Sequence, residues 1–338
     1  MNTVPIRTGE DLARCVAQSG QPYHGQYFAM YSSLWRAIVT DPRWMLLPVD
    51  DHMVHRGDGV FETLKVTGGA LYNLPAHVQR LERSARQLGL AVPVSGEELA
   101  GLVVQTVRAG GQPEALVRIL LSRGPGSFGI SPRDCPEPAL YIIAYAASPP
   151  FMEAHPGGAR VIRSRQPPKP PFYAAIKTVN YLPNVLMKME ALAAGADFVL
   201  TFDEQDHLAE GATENAGIVT AEGVLQFPRS NRLLPGTTAQ RVVELARECV
   251  GRGGLKGIEE VPVPYAAVRA AAELLIFGTT PDVTAAVEFD RQPVGEARPG
   301  PVFHVLHRAL AADIRGPSSR RTIVFGGGPA GGGGCASR

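Results

Sequence analysis

Gln166-Pro167-Pro168-Lys169-Pro170-Pro171 places four prolines in five consecutive positions. Each fixes its backbone φ and lacks an N–H, so neither a helix nor an interior strand can run through the segment. An extended linker is expected over 167–174, dividing the 338-residue chain into two units that are each long enough to bury a core. Ahead of it, Val60–Val66 reads as a strand and Leu74–Gly89 as a helix with Leu74, Val78, Leu81, Ala85 and Leu88 on one face. Leu116–Ser122 and Leu140–Ala146 read as buried strands. Beyond it, Leu182–Ala194 reads as a helix ended by Gly195, Phe198–Phe202 as a strand and Ile218–Phe227 as a hairpin turning at Gly223. Thr237 and Thr238 open a helix over Ala239–Val250, Glu273–Phe277 and Val283–Phe289 read as strands, and Val302–Ile314 as a last helix. The expected fold is therefore α/β (α+β): an N-terminal extension over 1–45, a small α/β domain over 46–166, the linker, a larger domain over 175–318 and a glycine-rich tail over 319–338. From Gly326 onward seven of thirteen residues are glycine, a composition expected to stay disordered.

Charge narrows the partners. Lys plus Arg is 33 and Asp plus Glu is 32, a net charge of +1, with no excess to hold a nucleic acid backbone or an anionic membrane. No apolar run reaches the ~18 residues that span a bilayer, and the N-terminus lacks a secretory pattern, so a cytoplasmic location is expected. Four scattered cysteines form no Cys-x-x-Cys pair and are expected to be reduced. His52-x-x-His55 and His304-x-x-His307 have a metal-compatible spacing but no third ligand at a recognisable interval, so no metal is expected.

Two Gly-x-Gly-x-x-Gly stretches, at Gly124–Gly129 and Gly326–Gly331, lack the helix that would follow in a dinucleotide fold and read as a turn and a flexible segment. Only five lysines occur: Lys65, Lys169, Lys177, Lys188 and Lys256. Lys177 stands between the proline run and a helix, among apolar residues. It reads either as a partly desolvated amine able to attack a carbonyl or as a lysine snorkelling from a domain edge. The others read as solvated, among prolines (Lys169), in a glycine-rich loop (Lys256) or within an alternating strand (Lys65).

The residues around Lys177 add a resemblance. Ile176-Lys-Thr-Val-Asn-Tyr-Leu-Pro-Asn, Glu210-Gly-Ala-Thr-Glu-Asn215, His55-Arg-Gly-Asp-Gly-Val-Phe-Glu62, His77-x-x-Arg80-Leu, Leu234-Pro-Gly-Thr-Thr238, Gly278-Thr279 and Pro299-Gly-Pro-Val302 are all present. Together they resemble the aminotransferase class IV family, the fold-type IV pyridoxal-phosphate enzymes, over roughly 45–315, and they fall in that family's order. That family includes branched-chain and D-amino-acid aminotransferases and aminodeoxychorismate lyase. The resemblance implies pyridoxal 5'-phosphate as cofactor and Lys177 as the Schiff-base lysine that also carries the proton at the substrate Cα. It implies Glu210 facing the pyridine nitrogen, where an anion keeps the ring an electron sink, and Tyr181 near the 3-oxygen. Arg80, Thr237, Thr238, Gly278 and Thr279 are implied as the phosphate site, with Thr237 at a position where the family usually has isoleucine. A homodimer is implied as well. Read singly, the same residues are also a solvated loop glutamate, an ion-paired helix arginine and capping threonines.

For the substrate, Val117-Arg118-Ile119 stands where branched-chain enzymes carry Arg-Pro-Leu. Ser122–Gly129 is closer to the D-amino-acid and lyase members. Ser131-Pro-Arg133 resembles the carboxylate-binding Pro-Arg-x-His of the D-amino-acid aminotransferases, with Cys135 at the histidine position. Arg56, Phe61 and Arg133 are the expected substrate-side residues, although Arg133 reads equally as a loop arginine. The expected activity is ping-pong transfer of an amino group between an amino acid, with the D series among the candidates, and a 2-oxo acid. The alternatives are the lyase reaction, giving 4-aminobenzoate and pyruvate from 4-amino-4-deoxychorismate, and a silent binding relative.

Overall fold

A computed structural model, which describes residues 3–326, folds the chain around two β-sheets. The first half supplies β1 (Tyr27–Ser32), β2 (Ala37–Val39), β3 (Gly59–Thr67), β4 (Ala70–Tyr72), β5 (Ala115–Ser122) and β6 (Ala139–Tyr145). The second supplies β7 (Ala159–Arg163), β8 (Phe198–Phe202), β9 (Leu208–Gly211), β10 (Asn215–Val219), β11 (Val224–Pro228), β12 (Gly257–Val261), β13 (Glu273–Gly278), β14 (Asp282–Phe289) and β15 (Gln292–Pro293), followed by β16 (Arg321–Ile323). The first sheet is antiparallel throughout, in the order β16-β4-β3-β5-β6-β1-β2. The second runs β12-β11-β10-β13-β14-β7-β8-β9, with β15 on β14, and its β11/β12, β14/β7 and β7/β8 pairs are parallel.

Alternation decides which face of the first sheet is buried where. Val60, Leu64 and Val66 of β3, with Val117, Ile119 and Leu121 of β5, pack against the helices Leu74–Gln87 and Gly96–Gly110. The intervening residues, Phe61 and Arg118 among them, take the opposite face by the two-residue period of a strand. A reciprocal Ser95–Glu98 capping box starts the second of these helices. In the larger layer, the helices Thr237–Cys249 and Pro301–Arg315 cover β13 and β14 through Val242, Leu245, Leu306 and Leu310.

The structure corrects three expected boundaries. The small sheet does not start at residue 46: β1 pairs along β6, so part of the expected 1–45 extension is interior to that sheet. β7 precedes the proline run yet joins the second sheet, pairing in parallel with β8 and β14, so the chain crosses between layers before 159 rather than at 167. Parallel pairing is non-local and leaves no mark in the flanking composition. The segment expected as tail over 319–338 contributes β16, which pairs with β4, and Val324 is buried beneath it. Arg-Thr-Ile-Val-Phe supplies the β-branched and apolar residues for that edge. The remaining tail, 327–338, lies outside the described residues.

Candidate active site

β4 pairs with β3 only at Val66 and Thr67, which leaves the start of β3 open on that side. The Lys177 loop occupies this edge. The Phe61 N–H donates to the Lys177 carbonyl at 2.9 Å, the Val179 N–H to the Gly59 carbonyl at 3.0 Å and the Thr178 hydroxyl to the same carbonyl at 3.1 Å. Ile176, one residue earlier, is embedded in the core of the first sheet. Lys177 is thereby held at 9% exposure, with Nζ 4.6 Å from the Phe61 ring centre and 3.5 Å from the Tyr181 hydroxyl. Burial, with Arg80 and Arg118 adding positive charge against Glu62 and Glu210, lowers its amine to about 8. Tyr181 precedes the helix Leu182–Ala194 and meets Phe61 edge-on at 4.9 Å. Burial and then Glu210 push its phenol above the ordinary range.

Glu210, at the end of β9, accepts the Leu234 N–H on Oε2 at 2.7 Å, and its Oε1 lies 3.2 Å from Lys169 Nζ. The same ammonium stands 5.7 Å from the Tyr181 ring centre. The lysine read as merely one residue among prolines is therefore delivered into the site by them. Buried Pro168 anchors the arm beside it, and fixed proline φ angles restrict the directions Lys169 can take.

Arg80 lies at the centre of a buried polar chain. Its Nε and Nη2 meet Glu62 Oε1 and Oε2 at 2.7 and 2.8 Å, and its Nη1 donates to the Pro235 carbonyl at 3.2 Å. His77 Nδ1 is 2.7 Å from Glu62 Oε2, and its Nε2 is 3.3 Å from Thr237 Oγ1. Burial alone raises a carboxyl, but the Arg80 guanidinium and His77 more than offset it and hold Glu62 at about 2. Burial pushes the His77 imidazole down, towards its neutral form. Arg80 is thus tied through Pro235 to the loop that opens the helix Thr237–Cys249. A Cβ at Gly236, immediately before that helix, would sit 1.9 Å from Asn215 Oδ1, so only glycine allows Asn215 to bond the Leu234 carbonyl at 3.0 Å. The first N–H groups of the helix have no intrahelical acceptor and face an anion favourably. Thr237, Thr238, His77 and Thr279 line one narrow cavity there, and Gly278 ends β13 beside it.

Three expected substrate-side residues separate. Phe61 belongs to the Lys177 cluster. Arg56 is exposed and spends its guanidinium on the carbonyls of His55, Phe128 and Gly129. It reaches the lysine loop only indirectly, through the Asn180 amide bonded to the Gly57 carbonyl at 2.6 Å. Arg133 is exposed on a short turn, Pro132–Asp134, with Cys135 buried next to it. Neither arginine is brought against Lys177 within this chain.

Four residues of the site escape a reading of the sequence. Glu62 shares the core-facing parity of Val60, Leu64 and Val66, and a carboxylate at such a position signals a buried partner. His77 and Arg80, three apart on one helix, are that partner's visible counterpart. Lys169 is masked by its prolines. Arg118 carries no local signal: its guanidinium carbon lies 4.7 Å over the Phe61 ring, and its Nε is buried without a hydrogen-bond partner. Among the described residues no group of three or more His, Cys, Asp or Glu could hold a metal, and no helix is long and apolar enough to cross a membrane.

Comparison with known proteins gives the family. The family model for amino-transferase class IV matches residues 59–289. The chain is 38% identical over 325 residues to a chloroplastic D-amino-acid transaminase of Arabidopsis thaliana, covering 95% of this chain and 85% of that one. It is 30% identical over 286 residues to a branched-chain-amino-acid aminotransferase of Pseudomonas aeruginosa, covering 81% and 91%. A T.th. branched-chain amino acid aminotransferase, complexed with N-(5'-phosphopyridoxyl)-L-glutamate, superimposes with a TM-score of 0.81 at 27% identity, covering 89% of this chain and 99% of that one. This fold, this lysine-centred site and these relatives together make the chain a member of the amino-transferase class IV family.

Proposed function

We propose that the protein is a pyridoxal 5'-phosphate-dependent aminotransferase acting on amino acids of the D series, with 2-oxo acids as the second substrates. The observation that carries the reading is Lys177: a buried amine lowered to about 8, 3.5 Å from a phenol, in the same cluster as a carboxylate. The donor set fits the cofactor group by group, since amine, carboxylate, phenol, guanidinium and a helix N-terminus match its aldehyde, ring nitrogen, 3-oxygen and phosphate. When bound, that group supplies an aldehyde for amines and a protonated ring that takes up the electrons of a breaking Cα–H bond.

The chain's own residues then divide the work. Lys177 Nζ is the nucleophile and, once freed by the incoming amino group, holds and returns the Cα proton. Glu210 holds a proton at the ring nitrogen, with Lys169 and the Leu234 N–H fixing its carboxylate. Tyr181 orients the ring at its 3-oxygen. Arg80, Thr237, Thr238, Gly278 and Thr279 bind the phosphate, and Glu62 and His77 lock Arg80 in place. Phe61 and Tyr181 exclude water around the amine. Arg118, whose buried Nε lacks a partner, binds a substrate carboxylate. Arg56 and Arg133 form a rim that meets substrate from outside this cluster.

The D-series assignment is supported by the 38% identity over 95% of the chain to the Arabidopsis thaliana protein. A homodimer is supported by an exposed stripe at helical spacing, Leu182, Val185, Leu186, Met189 and Leu192. Cys15, Cys135 and Cys249 are free thiols, which supports the cytoplasmic location.

The test is the visible spectrum of the protein loaded with pyridoxal 5'-phosphate, recorded with single D- or L-amino acids and no oxo acid. Bleaching to the pyridoxamine form by D-amino acids is expected. Bleaching by L-amino acids alone overturns the stereochemical assignment. A band indifferent to all amino acids replaces transamination by the lyase reaction, if pyruvate forms from 4-amino-4-deoxychorismate, or by a silent binding role.

A further inference from the structure

Lys65 and Asp282 form an ion pair of 2.5 Å between the two layers of the molecule. Lys65 is on β3, four residues after Phe61, and so on the same face of that strand. Asp282 opens β14 at the end of the turn that contains Thr279, and it pairs across the hairpin with Gly278. Both side chains are largely buried, at 12% and 16% exposure. Burial pushes the Asp282 carboxyl above the usual carboxylate range, and Lys65 draws it back only in part. The backbone of Asp282 is left-handed, with φ of 53°, a conformation that asparagine and aspartate tolerate better than other side chains. Thr284, two residues further along β14, ties the same end of the turn by donating to the Pro281 carbonyl at 2.8 Å. Lys65 and Asp282 line the same narrow cavity as His77, Thr237, Thr238 and Thr279.

We infer that the Lys65–Asp282 pair is a cross-layer latch: it positions the Gly278–Asp282 turn so that Gly278 and Thr279 face the helix N-terminus at Thr237 across the proposed phosphate site. The inference rests on the cofactor assignment proposed above and adds two positioning residues to it. Arg80 cannot set this turn, because its contacts run to Glu62 and Pro235. The turn belongs to the larger layer, whereas Phe61, Glu62 and the docked Lys177 loop are fixed to β3. Lys65 is the ammonium on β3 that joins the two frames. A pair of this kind contributes through geometry more than through net attraction, because both charges have left water.

The experiment compares binding of pyridoxal 5'-phosphate with that of pyridoxal, which has the same aldehyde and ring without the phosphate, to the apoprotein by absorbance and fluorescence titration. The variants are Lys65→Met, Lys65→Arg, Asp282→Asn and the double variant Lys65→Met/Asp282→Asn, which leaves no unpaired buried charge. Lys65→Met and Asp282→Asn are each expected to weaken pyridoxal 5'-phosphate about tenfold or more while changing pyridoxal less than about twofold, and Lys65→Arg to restore most of the loss. The double variant is expected to recover melting temperature without recovering phosphate-dependent affinity. Equal losses for both ligands make the pair a general fold contact and overturn the latch. Tighter phosphate-dependent binding in Asp282→Asn also overturns it, because releasing Lys65 then helps and the lysine is itself a phosphate ligand. Unchanged affinities in all variants overturn the latch while leaving the cofactor assignment intact. Failure of the unmodified protein to bind the cofactor at all overturns both.

Discussion

The buried half of the site and its exposed rim are built in opposite ways. Around Arg80 every charged group has a partner: Glu62 is shared between Arg80 and His77, and His77 passes the chain on to Thr237. At the rim, Arg56 caps loop carbonyls and Arg133 projects from an exposed turn. The first arrangement fixes geometry before anything binds, which is what a permanently held cofactor needs, because no free energy is then lost to ordering on binding. The second leaves side chains that reposition cheaply, which suits a step where substrates exchange. Arg118 belongs to neither: its Nε is buried like the first group, yet it has no hydrogen-bond partner there.

That contrast can be broken at its buried end first. Lys177→Ala is expected to abolish transamination and the covalent cofactor band while leaving far-ultraviolet circular dichroism unchanged; retained turnover defeats the assignment. Glu62→Gln removes the counter-ion of a buried guanidinium and is expected to cost about 3–5 kcal/mol of stability, seen as a lowered chemical-denaturation midpoint. Glu62 is depressed to about 2 in the folded state from an ordinary 4.5. Its stabilisation is present in full above the unfolded value and is lost as pH falls through that interval, so the variant should also flatten the acid limb of the stability profile. The two arginines sharpen the comparison: Arg118→Met is expected to raise KM for the amino acid about tenfold or more with little change in cofactor affinity. Arg133→Ala should leave cofactor affinity within about twofold, since it touches none of the buried groups. The buried amine also predicts a pH dependence. The Lys177 amine is neutral above its lowered value of about 8, so cofactor capture by the apoprotein should rise about tenfold per pH unit below that point and level off above it. A capture rate still climbing towards pH 10 would place Lys177 in solvent.

Elements whose cause is local were legible in the sequence. The helix Leu74–Gln87, the hairpin at Gly223 and the helix ended by Gly195 follow from periodicity and from glycine in a left-handed turn, and they lie where expected. Segments whose cause is distant were not. β1 becomes a strand because β6 offers it an edge, and β16 because β4 does. The site divides along the same line. Lys177, Tyr181, Glu210 and Arg80 stand out through their motifs. Glu62 signals a buried partner by its core-facing parity without naming it, and the meaning of Arg118 depends on the β3–β5 register that sets it opposite Thr63, two residues along β3 from Phe61.

The fold class, the family resemblance and the few lysines among which a nucleophile had to be found were all readable from the chain before folding. Those properties reside in residue identity and short spacing, which a linear chain preserves. Tertiary structure alone decided that the proline arm turns Lys169 onto Glu210, that β7 crosses before the prolines rather than after them, and that Lys65 reaches across to Asp282. Each of these is a contact between distant segments, and its strength comes from burial, which removes water only once both segments are in place.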